Sequence, residues 1–286
     1  METALFSPSS LFTNDEEDEL SAGSDSEKSQ TNTFVEREHS FPGMALVVRE
    51  FSFHEVNANM LWPGASIFAE WLIEHQNFLR DRRIIELGSG TGALAVFLKK
   101  SLHVDITTSD FEDNEIEENI AHNCIANRIS VLPHIRHTWG EEFSTQNPDW
   151  DMIIASDILL YVKQYPNLIN TLLFLLKKYT PVDKMPYTTK DQGSQIMPQD
   201  QHMVAELKEN NYALKDQQQH GKSFQRGEAK EETDELPKPC FLMSWRRRIP
   251  KEDDTSFFNG CKNKGLMVQH LGSRVFCISL GESINF

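Results

Sequence analysis

Three glycines at alternate positions, Gly88, Gly90 and Gly92, are the residues whose spacing points most directly to chemistry. They follow two β-branched residues and the acidic Glu86, and an apolar helical pattern begins directly after them over 93–98. Glycine at such a junction lets a strand turn sharply into a helix and leaves no side chain between the backbone and a ligand. The pattern predicts a nucleotide-like ligand at the carboxyl end of the first strand of an open α/β sheet.

The glycine spacing and two nearby acids distinguish between classes of cofactor. The dinucleotide fingerprint requires G-x-G-x-x-G, where the backbone holds a pyrophosphate, whereas this loop has G-x-G-x-G. Glu86 would repel a pyrophosphate but would attract the ammonium and sulfonium groups of S-adenosylmethionine. Asp110 ends the next predicted strand about 20 residues downstream, where an acid binds ribose hydroxyls. A structural turn beside a solvated acid would explain each residue alone, but their combination favours an S-adenosylmethionine site.

Strands and helices alternate on both sides of this loop. We expect strands over 83–87, 104–109, 130–137, 150–157, 240–245, 266–271 and 274–280, and helices over 66–79, 93–101, 114–127 and 166–178. The last two strands would form an antiparallel pair with Gly272-Ser273 as the turn. Residues 44–48 and 50–56 would form a short N-terminal β-hairpin. The expected fold is α/β, with a Rossmann-like, seven-stranded, mostly parallel sheet and helices on both faces.

Composition divides the chain into segments and limits its partners. Residues 1–33 contain eight acidic residues and one basic residue, which predicts a disordered acidic tail. Residues 34–286 would form the domain, and the polar stretch 180–238 would be a disordered insert within it. The net charge of −15 argues against nucleic acid as a direct partner, since phosphate contacts require a basic surface.

Cysteine spacing and hydropathy indicate a reducing compartment. The four cysteines show neither the paired spacing of a zinc site nor a disulfide framework. His134 and His137 could form a metal pair, but no further ligands are patterned nearby, so we expect no metal. The N-terminus has no secretory signal pattern, and no apolar run approaches the ~20 residues that would cross a bilayer. We therefore expect no membrane association and a cytoplasmic location, with the nucleus as a second compartment.

Several motifs occur together in one enzyme family. Residues 61–65 (LWPGA) are similar to its tryptophan-containing segment before the first core helix, and 86–92 (ELGSGTG) to its cofactor loop. Residues 138–140 (TWG) are similar to its Trp-Gly after the third strand, and 244–248 (SWRRR) with 254–258 (DTSFF) to its fifth strand and following helix. The chain therefore resembles the class I S-adenosylmethionine-dependent methyltransferases, and within them methyltransferase family 16, the non-SET protein-lysine methyltransferases.

The resemblance implies a role for each candidate site residue. The predicted cofactor contacts are Gly88, Gly90 and Gly92 through their backbone, Glu86 at the methionine end, Asp110 at the ribose, Trp139 at the adenine, Trp62 closing over the cofactor, and Ser156. On the catalytic side, Asp157 would orient the acceptor and Tyr161 would line its channel. Alternatively, the two tryptophans are ordinary core aromatics, and Asp157 is a helix N-cap.

One departure from the family pattern concerns the acceptor. The family ends its fourth strand with D-x-x-Y, whereas residues 157–161 are DILLY, so the tyrosine falls one position late and Leu160 occupies the aromatic position. Either Tyr161 reaches the site through a local bulge, or the acceptor pocket differs. The acceptor amino acid therefore stays open.

The leading hypothesis is an S-adenosylmethionine-dependent methyltransferase, monomeric, that modifies lysine side chains of a protein substrate. A methyltransferase for arginine, histidine or a small molecule is the second hypothesis, and the displaced Tyr161 favours it. A catalytically silent scaffold is the third, but a scaffold would not require Glu86 or Asp110. A nucleotide-linked dehydrogenase is disfavoured by the glycine spacing.

Overall fold

A computed structural model describes residues 33–181, 235–246 and 251–281 of the 286-residue chain, without the side chains of 251–254. Residues 1–32 of the predicted acidic tail and 182–234 of the predicted insert lie outside the described residues. Within the described ranges, no helix combines the length and the apolar composition that a membrane crossing requires.

An N-terminal hairpin precedes the main sheet. Its strands β1 (Phe34–Phe41) and β2 (Met44–Phe51) pair in antiparallel register, with Phe34 opposite Phe51. The predicted hairpin is present, but its predicted strands over 44–48 and 50–56 are wrong, because 44–51 is one continuous strand. β1 is almost entirely exposed and rich in charge, so it lacks the apolar alternation that indicates a half-buried strand.

Seven strands form the main sheet, as the sequence predicts. They are β3 (Arg83–Leu87), β4 (Asp105–Asp110), β5 (His134–Arg136), β6 (Met152–Ser156), β7 (Cys240–Ser244), β8 (Leu266–Gly272) and β9 (Val275–Leu280). Their order is β5-β4-β3-β6-β7-β9-β8, and only the pairs that involve β9 are antiparallel. The strand order reverses between β3 and β6, so a crevice opens at the carboxyl ends of these strands. This topology confirms the predicted class I methyltransferase fold.

Helices cover both faces of the sheet. They are α1 (Pro63–Glu74), α2 (Ala93–Leu102), α3 (Asn114–Ala126), α4 (Tyr165–Lys177) and α5 (Lys251–Asn263). Neighbouring residues of β3 point to opposite faces, so Ile84 packs in the cluster with Phe68 and Phe97, and Ile85 in the cluster with Leu172. All are fully buried, and each such side chain contributes about 1.5–3 kcal/mol to stability. The two clusters fix the faces of the sheet, and with them the site at its edge.

Helix α3 holds the hairpin through three asparagines on one helical face. Asn119, Asn123 and Asn127 are spaced four residues apart, so their side chains lie along one stripe. Asn123 Oδ1 accepts the Arg49 N–H at 2.7 Å, and Asn119 Nδ2 donates to Arg49 O at 3.0 Å. Asn127 accepts the Val47 N–H at 3.1 Å and donates to Val47 O at 2.7 Å. The three asparagines therefore pair with backbone N–H and C=O groups along the outer edge of β2, as a neighbouring strand would.

The described ends of the predicted insert are bonded to the domain. The Thr180 N–H donates to Pro148 O at 2.8 Å. On the other side, the Arg82 guanidinium donates to Leu236 O at 2.5 Å and to Pro237 O at 3.0 Å. The predicted bounds of 180 and 238 therefore include residues that pack on the domain. Polar composition does not reveal which polar residues find such partners.

Candidate active site

A cavity of about 390 Å³ lies at the carboxyl ends of β3, β4, β5 and β6, where the strand order reverses. Its size is within the range of pockets that bury a small molecule. It is lined by eight of the ten predicted site residues: Trp62, Gly88, Gly90, Asp110, Trp139, Ser156, Asp157 and Tyr161. The other two, Glu86 and Gly92, lie outside the lining. The fold therefore brings together residues from five separate segments of the chain.

Two glycines of the loop are required for different reasons. Gly88 has a left-handed backbone (φ +65°), and a Cβ there would lie 2.7 Å from Cγ2 of Ile158, which also lines the cavity. Gly92, also left-handed (φ +72°), begins α2, and its Cβ would lie 3.0 Å from Ile120 of α3. Gly88 therefore allows a close approach inside the site, whereas Gly92 allows helix packing behind it.

Asp110 is buried at the end of β4 and fixed by backbone donors. Its Oδ2 accepts the Gly90 N–H at 2.6 Å, and its Oδ1 accepts the Phe111 N–H at 2.7 Å. Burial raises the pKa of the Asp110 carboxyl, and these two hydrogen bonds act in the opposite direction. Each oxygen keeps a further lone pair, so the carboxylate can accept hydroxyl groups such as those of a ribose.

Glu86 lies beneath the glycine loop, 2% exposed, rather than in the cavity wall. Burial, and after it the negative charge of Asp110, raise the pKa of the Glu86 carboxyl to about 8, with hydrogen bonds from Ser89 and the Ala95 backbone acting in the opposite direction. Its Oε2 is buried and has no hydrogen-bond partner among the described residues. A cationic ligand in the adjacent cavity would favour the ionised form of Glu86 and lower this pKa, so the buried carboxyl fits such a ligand.

Residues after β5 form the wall next to Asp110. The His137 N–H donates to Asp110 O at 2.7 Å, and Trp139 follows it, with Cζ2 3.6 Å from a Cβ built at Gly88. Burial lowers the pKa of the His137 imidazole to about 4, so the ring is neutral at physiological pH. Its Nε2 bonds with Thr171 Oγ1. Trp139 therefore faces the glycine loop across the predicted adenine region.

His134 and His137 do not converge on a metal. His134 Nδ1 bonds with Thr108 Oγ1 on β4 at 3.0 Å, whereas His137 bonds with Thr171 on α4. Over the ranges that the structure describes, no group of three or more His, Cys, Asp or Glu side chains is placed to hold a metal ion.

Asp157 follows β6 in a left-handed conformation (φ +53°) and is 3% exposed. Its Oδ2 accepts the Gly64 N–H at 2.8 Å, in the first turn of α1, and its Oδ1 accepts the Arg246 N–H at 3.4 Å. A Cβ at Gly64 would lie 2.5 Å from this carboxylate. The N-terminus of α1 stabilises the negative charge, but the N-cap residue of that helix is Trp62, so Asp157 contacts it from a distant segment and is not a helix N-cap itself. Because Asp157 also lines the cavity, its acceptor role stays a prediction.

Leu160 and Tyr161 both line the cavity. After Asp157 the chain bends through 158–160 and enters a short 3₁₀ helix, Val162–Gln164. The tyrosine that is one position late in the sequence therefore still reaches the site. Its hydroxyl accepts a hydrogen bond from Nδ2 of Asn57. Burial raises the pKa of Tyr161, so the phenol is protonated at neutral pH.

Residues 52–61, which precede the predicted Trp62 in the loop between β2 and α1, are the part of the site that sequence reasoning missed. Glu55, Val56, Asn57 and Ala58 line the cavity, and Ala58 O would lie 3.7 Å from a Cβ at Gly90. The Asn-Ala-Asn run directly before the tryptophan segment was an available signal, because asparagine favours turns and left-handed backbone. Further lining residues that were not predicted are Phe111, His137, Thr138, Ile158, Leu160, Lys163 and Gln164.

Known proteins resemble this chain at the level of family. The histone-arginine methyltransferase METTL23 of Xenopus laevis is 29% identical over 120 residues, which cover 41% of this chain and 51% of that protein. The EEF1A lysine methyltransferase 3 of Xenopus tropicalis is 24% identical over 187 residues, 63% of this chain and 83% of that protein. The solved structure of the Thermus thermophilus 16S rRNA N2 G1207 methyltransferase with AdoMet and guanosine matches at 12% identity and TM-score 0.48, over 87% of this chain and 51% of that one.

A family model described as lysine methyltransferase matches residues 42–217. The alignment with the Xenopus laevis relative spans about half the length of that protein. The family predicted from the sequence is confirmed by this match, and with it S-adenosylmethionine as the cofactor. Because this family match covers more than half of the 286 residues, the chain belongs to the lysine methyltransferase family.

Proposed function

We propose that this chain transfers the methyl group of S-adenosylmethionine to a nitrogen atom of a protein side chain, with lysine as the leading acceptor. The observation that carries the proposal is the single cavity in which Asp110 and the glycine loop meet Asp157 and Tyr161. One side of this cavity fits the cofactor, and the other side fits a nucleophile.

The residues of the first side fit S-adenosylmethionine. Gly88 and Gly90 open the backbone to it, Asp110 would accept its ribose hydroxyls, and Trp139 would lie against its adenine. The buried, unpartnered Oε2 of Glu86 lies beneath the same loop and suits a ligand with positive charge. When bound, the cofactor would supply a methyl group on a sulfonium: the acceptor nitrogen would bond to the methyl carbon in line with the C–S bond, which breaks, and S-adenosylhomocysteine would leave.

The second side suits a neutral amine. A lysine must lose a proton and its hydration before it can attack, and burial against apolar groups lowers the pKa of an amine. Leu160 and Ile158 supply apolar wall, and Tyr161 supplies a hydroxyl that can hold an N–H group. The protein therefore needs only to desolvate and align the nitrogen, because alignment at near-attack distance provides most of the catalytic effect.

Arginine is the second candidate acceptor. The Xenopus laevis relative is named a histone-arginine methyltransferase, whereas the Xenopus tropicalis relative is named a lysine methyltransferase. The displaced Tyr161 and the presence of Leu160 in the expected aromatic position also favour a changed acceptor pocket. Identification of the modified amino acid decides between the two.

A protein partner suits this chain better than a nucleic acid. The net charge of −15 opposes contact with a phosphate backbone, which requires clustered basic residues. The cavity lining adds the acids Glu55, Asp110 and Asp157 against one lysine, Lys163. The monomeric state and the cytoplasmic or nuclear location stay predictions.

The test is transfer of labelled methyl from S-adenosylmethionine into the proteins of a cell lysate, followed by acid hydrolysis. We expect labelled methyl-lysine in a protein band, and loss of both the label and cofactor binding in Asp110→Ala. The matched control is Asp105→Ala, because Asp105 lies at the exposed start of the same strand, paired with Arg83. Label only in methyl-arginine would favour the second candidate. Cofactor binding without any protein label would reject a protein acceptor.

A further inference from the structure

Asn57 is the residue outside the predicted site that the structure places most specifically. It lines the cavity and adopts a left-handed backbone conformation (φ +58°), which asparagine adopts more readily than most other non-glycine residues. Left-handed non-glycine residues concentrate at ligand sites, where surrounding contacts hold them. The hydrogen bonds of Asn57 therefore indicate its role in the site.

Three hydrogen bonds fix Asn57 between two predicted site residues. Its N–H donates to His54 O at 3.0 Å, and its carbonyl accepts the Trp62 Nε1–H at 3.0 Å. Its side-chain Nδ2 donates to the hydroxyl of Tyr161. The backbone of Asn57 thus belongs to the loop before α1, while its side chain reaches the segment after β6.

The direction of the Asn57–Tyr161 bond determines what the hydroxyl can still do. A phenol has one proton to donate and two lone pairs to accept with. Because Asn57 donates, one lone pair of Tyr161 is used and the other stays available. A neutral amine that attacks a methyl group directs its own lone pair at the carbon, so its N–H groups need an acceptor elsewhere.

We propose that Asn57 is a positioning residue for the methyl acceptor, holding Tyr161 so that the second lone pair of its hydroxyl accepts an N–H of the acceptor nitrogen. This inference rests on the proposed function. The Asn57–Tyr161 pair then selects acceptors that still carry an N–H, which are the unmethylated and monomethylated amines. A dimethylated side-chain nitrogen, when neutral, is a tertiary amine with no N–H to donate, so the pair contributes nothing to a third transfer.

The experiment combines single and double variants in the labelled lysate assay. Asn57→Gly retains the left-handed backbone and both backbone hydrogen bonds but removes the amide, and Tyr161→Phe removes the hydroxyl. We expect each to lower kcat for mono- and dimethyl products about tenfold, the effect of one lost positioned hydrogen bond. The double variant should fall no further, because the two groups act as a unit. The affinity for S-adenosylhomocysteine should change little.

Asn59→Ala is the matched control. Asn59 lies in the same loop, and its Nδ2 donates to Phe51 O at 3.1 Å, away from the cavity lining. If Asn57 acted only by holding the loop, Asn59→Ala would lower the rate as much as Asn57→Gly, and that result would overturn the inference. Wild-type rates in Asn57→Gly, or purely additive losses in the double variant, would also overturn it. If the wild type transfers no label to protein, the proposed function fails, and the inference fails with it.

Discussion

In the half of the cavity at the ends of β3, β4 and β5, the Asp110 carboxylate is held by the glycine loop, whereas after β6 the Asp157 carboxylate is held by the N-terminus of α1. The first contact lies within one βαβ unit, in which Leu87 pairs with Ser109 and the Ser89 N–H donates to Ser109 O at 3.1 Å. The second joins segments far apart in the sequence. The cofactor half is therefore local, and the acceptor half depends on long-range contacts.

Because of this difference, a short sequence motif specifies the geometry of the cofactor half but not that of the acceptor half. Between adjacent parallel strands, the register fixes which backbone groups meet, so a short motif specifies the geometry. After β6, the position of Tyr161 depends on Asn57 and that of Asp157 depends on Gly64. A change of one position in the motif is absorbed there without moving the tyrosine out of the cavity.

Gly88→Ala is the variant with the largest expected effect on the two halves of the cavity, because the cofactor half and the acceptor half touch at Gly88. A Cβ there would clash with Ile158, and left-handed backbone costs an alanine about 1–2 kcal/mol. We expect the affinity for S-adenosylhomocysteine to fall more than about 100-fold, measured by calorimetry. Ile158→Ala in the same chain should recover part of the loss. Wild-type affinity in Gly88→Ala would mean that the halves are not in contact.

Asn123→Ala tests the support of the cofactor half. Asn123 accepts the Arg49 N–H and donates to Thr91 O at 2.9 Å, so it joins the hairpin to the glycine loop. Removing it leaves buried backbone groups unpaired, at about 1–3 kcal/mol of unfolding free energy. Chemical denaturation measures the loss, with Glu118→Ala on the exposed face of α3 as control. Equal stability of the two variants would contradict the role of Asn123.

Glu86→Gln tests the electrostatics beneath the glycine loop. The folded pKa of about 8 lies above the ordinary carboxyl value of 4.5, so the contribution of Glu86 to stability is present at low pH and is lost as pH rises through about 8. Glutamine removes this dependence. We expect Glu86→Gln to gain stability relative to wild type between pH 5 and 8, by more than about 1.4 kcal/mol, the value of one pKa unit.

Thermal unfolding across that pH range measures the difference between Glu86→Gln and wild type. Parallel curves for the two proteins would show that Glu86 is ionised in the folded state throughout the range.

Asp157→Asn tests the role of Asp157 in the acceptor half and has the smallest expected effect of these variants. Asparagine still accepts the Gly64 N–H but loses the charge that favours a helix N-terminus, a loss of about 0.3–1 kcal/mol. If stabilising the N-terminus of α1 is the whole role of Asp157, the methyl-transfer rate should follow this small change in stability. A rate loss far beyond it, with cofactor affinity unchanged, would establish the acceptor role. Denaturation and the labelled assay on the same preparation give both values.

The element bounds illustrate where sequence reasoning is accurate. The strand 83–87 is observed as predicted, and the helix predicted over 93–101 ends one residue later. These elements are buried and end at glycine or at polar residues, so periodicity and breakers agree. The third strand, predicted over 130–137, is only His134–Arg136, because it lies at the edge of the sheet, pairs with β4 alone, and follows Pro133, which has no backbone N–H to donate. The charged β1 was missed for a related reason.

The sequence by itself determined the sheet class, the glycine loop and Asp110, because local backbone conformation and strand periodicity specify a βαβ unit. Only the tertiary structure placed Glu86 beneath the loop rather than in the cavity wall, and Gly92 against Ile120. It alone brought Asn57 to Tyr161 and Asp157 to the N-terminus of α1. Those contacts join segments that are distant in the chain, and no local pattern encodes which distant partners meet.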